Sequence, residues 1–103
     1  MTELRKGCFC EAVAGHDAGR IYIVLETDGN IYVSDGKYRT VEMPKKKNLK
    51  HIRLLNYTDA DLKKKIAENR LRNEDIKYSI KKYLVHIRNV DKQEVSECQS
   101  QML

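Results

Sequence analysis

The sequence predicts an α+β fold: a small barrel of about five antiparallel strands followed by two C-terminal helices. Three observations carry this. Short β-rich runs separated by glycine-bearing turns fill the first half of the chain. Apolar residues recur at helical spacing in the second half. The length is 103 residues, 41% hydrophobic and 34% charged, which suffices for one modest core and not for two.

The elements follow in order. Residues 7–14 read as a strand, and residues 20–26 (RIYIVLE) as a second, rich in Ile, Val and Tyr. Asp28-Gly29 is a hairpin signal leading into a third strand at 31–34 (IYVS). Asp35-Gly36 turns the chain again, and residues 38–42 (YRTVE) form the fourth strand, which Pro44 ends because proline cannot donate to a ladder. Residues 51–55 (HIRLL) supply a short fifth strand. Closure into a barrel removes the exposed edges of so short a sheet. Thr58-Asp-Ala-Asp61 then reads as an N-cap, with Leu62 and Ile66 one turn apart behind it. Asn73-Glu-Asp is a second cap, followed by Ile76, Ile80, Tyr83, Leu84 and Ile87. That stripe reads as core against the barrel, with docking on a partner protein as the other reading. Residues 1–57 are thus the barrel and 58–89 a helical extension packed on it. Residues 90–103 are a polar tail expected to fray.

Composition excludes several classes. One proline and five glycines argue against low complexity, and no internal repeat is present. No apolar run approaches the ~20 residues that cross a bilayer. The N-terminal MTELRKGCFC lacks a signal-peptide core, so a cytoplasmic location is expected and no membrane partner. Three cysteines do not make a disulfide framework. Cys8 and Cys10 lie two apart on one strand face, and Cys98 with His16 or His51 could complete a metal set. Closed zinc sites use two such pairs at wider spacing, so buried thiols are the better reading and no metal or cofactor is expected. An enzyme is poorly supported, because the chain shows no nucleophile-base-acid order, no phosphate loop and no catalytic carboxylate pair. His16 and Asp17 are neighbours on a turn, where adjacent side chains rarely face each other.

The charge is more telling. The net charge is +5, and the segment 43–53, MPKKKNLKHIR, holds Lys45, Lys46, Lys47, Lys50 and Arg53 without an acid. This one cluster accounts for the whole excess, which points to a polyanionic partner. The helical lysines Lys63, Lys64, Lys65, Lys77, Lys81 and Lys82 read as solvated faces. Of the six tyrosines, Tyr38, between Lys37 and Arg39, is the candidate for stacking on a base.

The stretch AVAGHDAGRIYIV (residues 12–24) places Gly15, His16, Asp17, Gly19 and Arg20 between two apolar strands. It resembles the KOW motif, a short RNA-binding signature found in ribosomal proteins and in transcription factors related to NusG. The continuation YVSDGKYRTVEMPKKKNLKHIRL extends the likeness to bacterial KOW-domain proteins similar to large-subunit ribosomal protein fourteen of archaea and eukaryotes. LRNEDIKYSIKKYL resembles the helical end of the bacterial members, so the resemblance spans roughly residues 7–85. It implies an SH3-like barrel and binding to structured RNA, ribosomal RNA of the large subunit above all, as a ribosomal protein or ribosome-associated factor. Within the loop, glycines permit a tight backbone platform. Asp17 can hold the loop's own amides, and Arg20 and His16 can reach phosphate or stack.

Where members commonly carry basic residues at the positions of His16 and Ala18, this loop keeps Arg20 as its one cation. Binding is therefore expected to rest more on Lys37, Arg39 and the basic segment that includes Lys45, Lys46, Lys47, Lys50, His51 and Arg53. Two rival readings remain: a KOW module joining proteins in a transcription or translation complex, and a nucleic-acid-processing or RNA-modifying accessory active only within a larger complex. All three readings leave room for a homodimer formed through the helices.

Overall fold

The computed structural model describes residues 4–102, with side chains as far as Asn89. Five strands form one antiparallel sheet: β1 (Phe9–Ala12), β2 (Ile21–Glu26), β3 (Ile31–Ser34), β4 (Lys45–Lys47) and β5 (Ile52–Leu54). Two helices follow, α1 (Ala60–Ala67) and α2 (Asn73–Met102). The strand order is β4-β3-β2-β1-β5, so the first and last strands of the chain pair side by side. No ladder joins β4 to β5 among the described residues.

The continuous apolar run of β2 is explained by burial on both faces. Alternation sends Tyr22 and Val24 into one cluster with Cys8, Cys10, Ala12, Val33 and Ile52. Ile23, with Phe9 of β1, faces the opposite cluster, where Leu62, Ile76 and Tyr83 cover the sheet from the helices. Three rings meet there: Phe9 lies 5.0 Å from Tyr57 and 5.5 Å from Tyr83, with Tyr57 and Tyr83 5.1 Å apart, in tilted and edge-on geometries that aromatic quadrupoles favour.

The fourth strand is not where the sequence places it. Residues 38–42 are a loop, and Lys45–Lys47, after Pro44, pair with β3 instead, Lys46 opposite Tyr32. The reason is local hydrogen bonding. Asp35 Oδ1 accepts from the backbone N–H groups of Lys37, Tyr38 and Arg39 at 3.0, 3.0 and 2.9 Å, and the Arg39 carbonyl accepts from the N–H of Asp35 and Gly36. Backbone groups consumed this way cannot enter a ladder.

The helices start near their predicted caps, with one difference. Asp59 caps α1, accepting from the N–H of Asp61 and Leu62. Its other oxygen accepts from Ser79 Oγ at 2.7 Å and Lys82 Nζ at 2.8 Å, which ties α1 to α2. Asn73 does not cap α2. Its Oδ1 accepts from the Val41 N–H at 2.8 Å, and Asp75 takes the capping part by accepting from the Arg72 N–H. Helix α2 is continuous to Met102, through most of the segment read as a tail. The side chains of that segment, Cys98 among them, lie outside the described residues, as does Leu103. No helix among the described residues is long and apolar enough to cross a membrane.

Candidate nucleic-acid interface

The loop joining β1 to β2 is closed by short backbone bonds. The Gly19 N–H donates to the Ala12 carbonyl at 2.7 Å, and the Arg20 N–H to the Asp17 carbonyl at 3.0 Å. Gly15 and Gly19 have φ of +86° and +93°, left-handed values that side chains with a Cβ rarely adopt. This answers why glycine stands at both places. Asp17, between them, is buried.

Asp17 is the anchor of the site, through partners the sequence did not indicate. Its carboxylate accepts from Tyr22 Oη at 2.8 Å, from Lys45 Nζ at 3.0 Å and from Lys47 Nζ at 2.9 Å. The sequence has it holding its own loop's amides. The structure has it reaching across to β2 and β4. Burial alone would raise the Asp17 carboxyl, but the hydrogen bonds from Lys47, Lys45 and Tyr22, with the Lys47 charge, hold it well below the usual carboxylate range. Tyr22 moves the other way, pushed up by burial first and by its bond to Asp17 second.

The run of three lysines is thereby divided. Strand alternation turns Lys45 and Lys47 toward Asp17 and leaves Lys46 exposed. The Lys47 side chain is 7% exposed and that of Lys45 31%, so these two serve as internal counter-ions rather than as free cations. Arg53 is exposed but pairs with Glu11 on neighbouring β1. Lys50 and His51 lie exposed in a 3-10 turn at Leu49–His51, and the His51 carbonyl accepts from the Val13 N–H at 2.9 Å, bracing the β1–β2 loop from the turn that precedes β5. Lys46 and His51 line one open trough of about 760 Å³ together with Asn30 and Leu49.

A second group gathers elsewhere. His16 and Arg20 are exposed on the loop. The Arg20 guanidinium lies 4.7 Å from the centroid of the Tyr38 ring, and Lys37 Nζ 5.0 Å from it. Tyr38 is 64% exposed, and Arg39 is exposed beside it. Arg20 also stands 3.7 Å from Asp35, the carboxylate that organises the loop. Lys77 and Lys81 of α2, read from the sequence as solvated, line the same cleft as Arg20 and Lys37. Their spacing put them on one helix face. What the sequence lacked was the placement of that face against residues 35–39.

Cys10 is buried, and its thiol is pushed up to about 12, by burial first and by Cys8 second. Such a thiol stays protonated and makes a poor metal ligand or nucleophile. No group of three or more His, Cys, Asp or Glu suited to a metal occurs among the described residues. Comparison of the chain with protein-family models and with curated proteins returned no match.

Proposed function

We propose that this chain is an RNA-binding protein that docks on structured RNA, foremost ribosomal RNA of the large subunit, as a ribosomal or ribosome-associated component of the cytoplasm. The observation that carries the reading is the grouping of Arg20, Lys37, Tyr38 and Arg39, exposed together around one ring beside a loop held from behind by Asp17. The KOW-like order of residues 12–24 and 34–53 supports it. An SH3-like barrel goes with it: the sheet face opposite the helices still buries Tyr22, Val24 and Val33, which a sheet curled on itself would account for.

The mechanism is electrostatic docking on a preset shape. The Asp17 clamp stiffens the loop before any partner arrives, which lowers the ordering cost of binding. Arg20, Lys37, Arg39, Lys46 and Lys50 then meet phosphates, giving affinity and orientation more than sequence choice. Five such contacts give a log–log salt slope of about −3.5 to −4.5. No chemical step is assigned to the chain.

The test is sedimentation of the tagged protein from lysate at low and high salt. Travel with the large subunit at low salt, and release as salt rises, is the expected result. Protein that stays at the top of both gradients overturns ribosomal residence. Co-migration with a smaller complex that ignores salt assigns the surface to a protein partner.

A further inference from the structure

The geometry points to a seat for one unpaired nucleotide in the cleft between residues 35–39 and α2, with phosphate on the cations at its rim and the base on its apolar floor. The inference rests on the RNA-binding reading above and adds to it which part of an RNA is recognised.

The cleft holds about 280 Å³. It is lined by Arg20, Lys37, Lys77 and Lys81, whose cations form the rim of the inferred seat, and by Ile21, Ile80 and Leu84, its apolar floor. Lys77, Lys81 and Leu84 fall at i, i+4 and i+7, one face of α2. Two lysines one turn apart repel and weaken a helix, and neither pairs with an acid among the described residues. Asp35 is the one acid in the lining among the described residues. Its Oδ1 is occupied by three backbone N–H groups and its Oδ2 faces Arg20, so its charge organises the loop and aims that guanidinium.

The cleft is built by specific contacts. Gly36 has φ +75°, and a Cβ there would lie 2.5 Å from the Asn73 carbonyl oxygen and 3.1 Å from Lys77 Cγ. Glycine is what lets the loop lie directly on the first turn of α2. The Asn73 side chain fastens the far end of the same loop through the Val41 N–H. Cations from the sheet side and from the helix are therefore held around one hollow.

The floor identifies the ligand. Paired RNA turns its bases inward and shows phosphate and sugar outward, which would satisfy the rim and leave the three aliphatic side chains facing water. Leu84 remains 46% exposed. An unpaired nucleotide brings a flat apolar base and an anionic phosphate within one residue, matching both parts of the cleft. Tyr38, sharing Arg20 and Lys37 with the rim, offers a ring for the neighbouring base.

The experiment uses the full chain and two labelled RNA hairpins, identical except for a three-nucleotide bulge in one stem, read by fluorescence anisotropy. The bulged hairpin is expected to bind about tenfold tighter. Leu84→Gln should remove that preference while leaving the paired hairpin within about threefold, and the double variant Lys77→Gln, Lys81→Gln should weaken the bulged hairpin more than the paired one. All three positions are exposed, so the variants should give the circular dichroism of the unmodified chain, which checks that they fold. Equal binding of both hairpins by the unmodified protein overturns the nucleotide seat and leaves the RNA reading standing. So does an equal loss on both hairpins in the variants. Failure to bind either hairpin at low salt overturns both readings. Displacement of the bulged hairpin by a glutamate- and leucine-rich peptide assigns the cleft to a protein and overturns the seat.

Discussion

Residues 37–39 and 45–47 lie close in sequence and carry two and three cations, yet they present them in opposite ways. KYR sits in a loop whose backbone is held by Asp35, and all three of its side chains are exposed. KKK sits in a strand, where a period of two sends Lys45 and Lys47 to one side, onto Asp17, and Lys46 to the other. The comparison teaches that a charge run overstates the field it makes. Of the five cations between residues 43 and 53, two are committed to Asp17 and one to Glu11. The denser run is the more structural one, and the sparser one is the stronger candidate for binding.

The largest effect expected from breaking this contrast is at Asp17. Asp17→Asn leaves two ammonium groups without their carboxylate, one of them buried, and should cost about 3 kcal/mol in urea unfolding. The pH dependence has a definite sign. The Asp17 value is lower in the folded chain than the unfolded value of about 3.9, so its contribution is complete above that pH and is lost as pH falls toward the folded value. Asp59 is lowered too, its bonds from Lys82 and Ser79 outweighing burial. The unmodified chain should therefore lose stability steadily below about pH 4, and Asp17→Asn should flatten that decline.

Gly36→Ala comes next. It combines a left-handed φ with a backbone collision and should destabilise by about 2 kcal/mol. Because it lifts the loop from α2, RNA affinity should fall with it even where the protein remains folded in low urea. An affinity unchanged in folded Gly36→Ala protein would show that the loop binds without support from the helix.

The two runs are then compared directly. Lys47→Gln should lower stability by about 1.5 kcal/mol and leave the salt slope of RNA binding unchanged, since it removes a charge-assisted bond to Asp17 and no free cation. The pair Lys37→Gln, Arg39→Gln should do the reverse. Stability should stay within about 0.5 kcal/mol, while the salt slope flattens by about 0.7 to 0.9 for each cation removed. A slope that responds to Lys47 and ignores Lys37 and Arg39 would invert the comparison.

The smallest effect expected is at the thiols. Cys10, with its value at about 12, should resist iodoacetamide at pH 8 in the folded chain and react only on unfolding, as mass spectrometry would record.

Much of the fold was legible because its signals are local. The apolar run of β2, Asp28-Gly29 and the 76–87 stripe each report on neighbours along the chain, and five antiparallel strands with two following helices are present. The fourth strand was misplaced for a physical reason. YRTVE has better strand residues than KKK, but Asp35 captures its entry and Asn73, 32 positions beyond Val41, captures its end. A distant side chain leaves no local pattern to find. Asn73 was misread the same way, since its residue type suits a cap and its actual partner is remote. The candidate site was legible as composition and not as arrangement. Arg20, Lys37, Tyr38 and Arg39 could be named as basic and aromatic, but nothing in their spacing indicated that Arg20 would lie over the Tyr38 ring. Nor could Lys77 and Lys81 be joined to them. Asp17 carried the clearest hint, an acid in a loop otherwise suited to anions, though Tyr22 and the two lysines are identifiable as its partners only once β4 has been placed.

Strand β4 has one more consequence. It is an outer strand of the sheet, and the outer rim of any sheet invites another extended chain to add on. Here that rim is three lysines long, preceded by a proline, with Lys46 left charged and solvated. A second chain pairing along it would have to strip water from that ammonium and fit against the two lysines already committed to Asp17. The protein is thus guarded on this side against growing into a larger sheet, at high concentration or while freshly made.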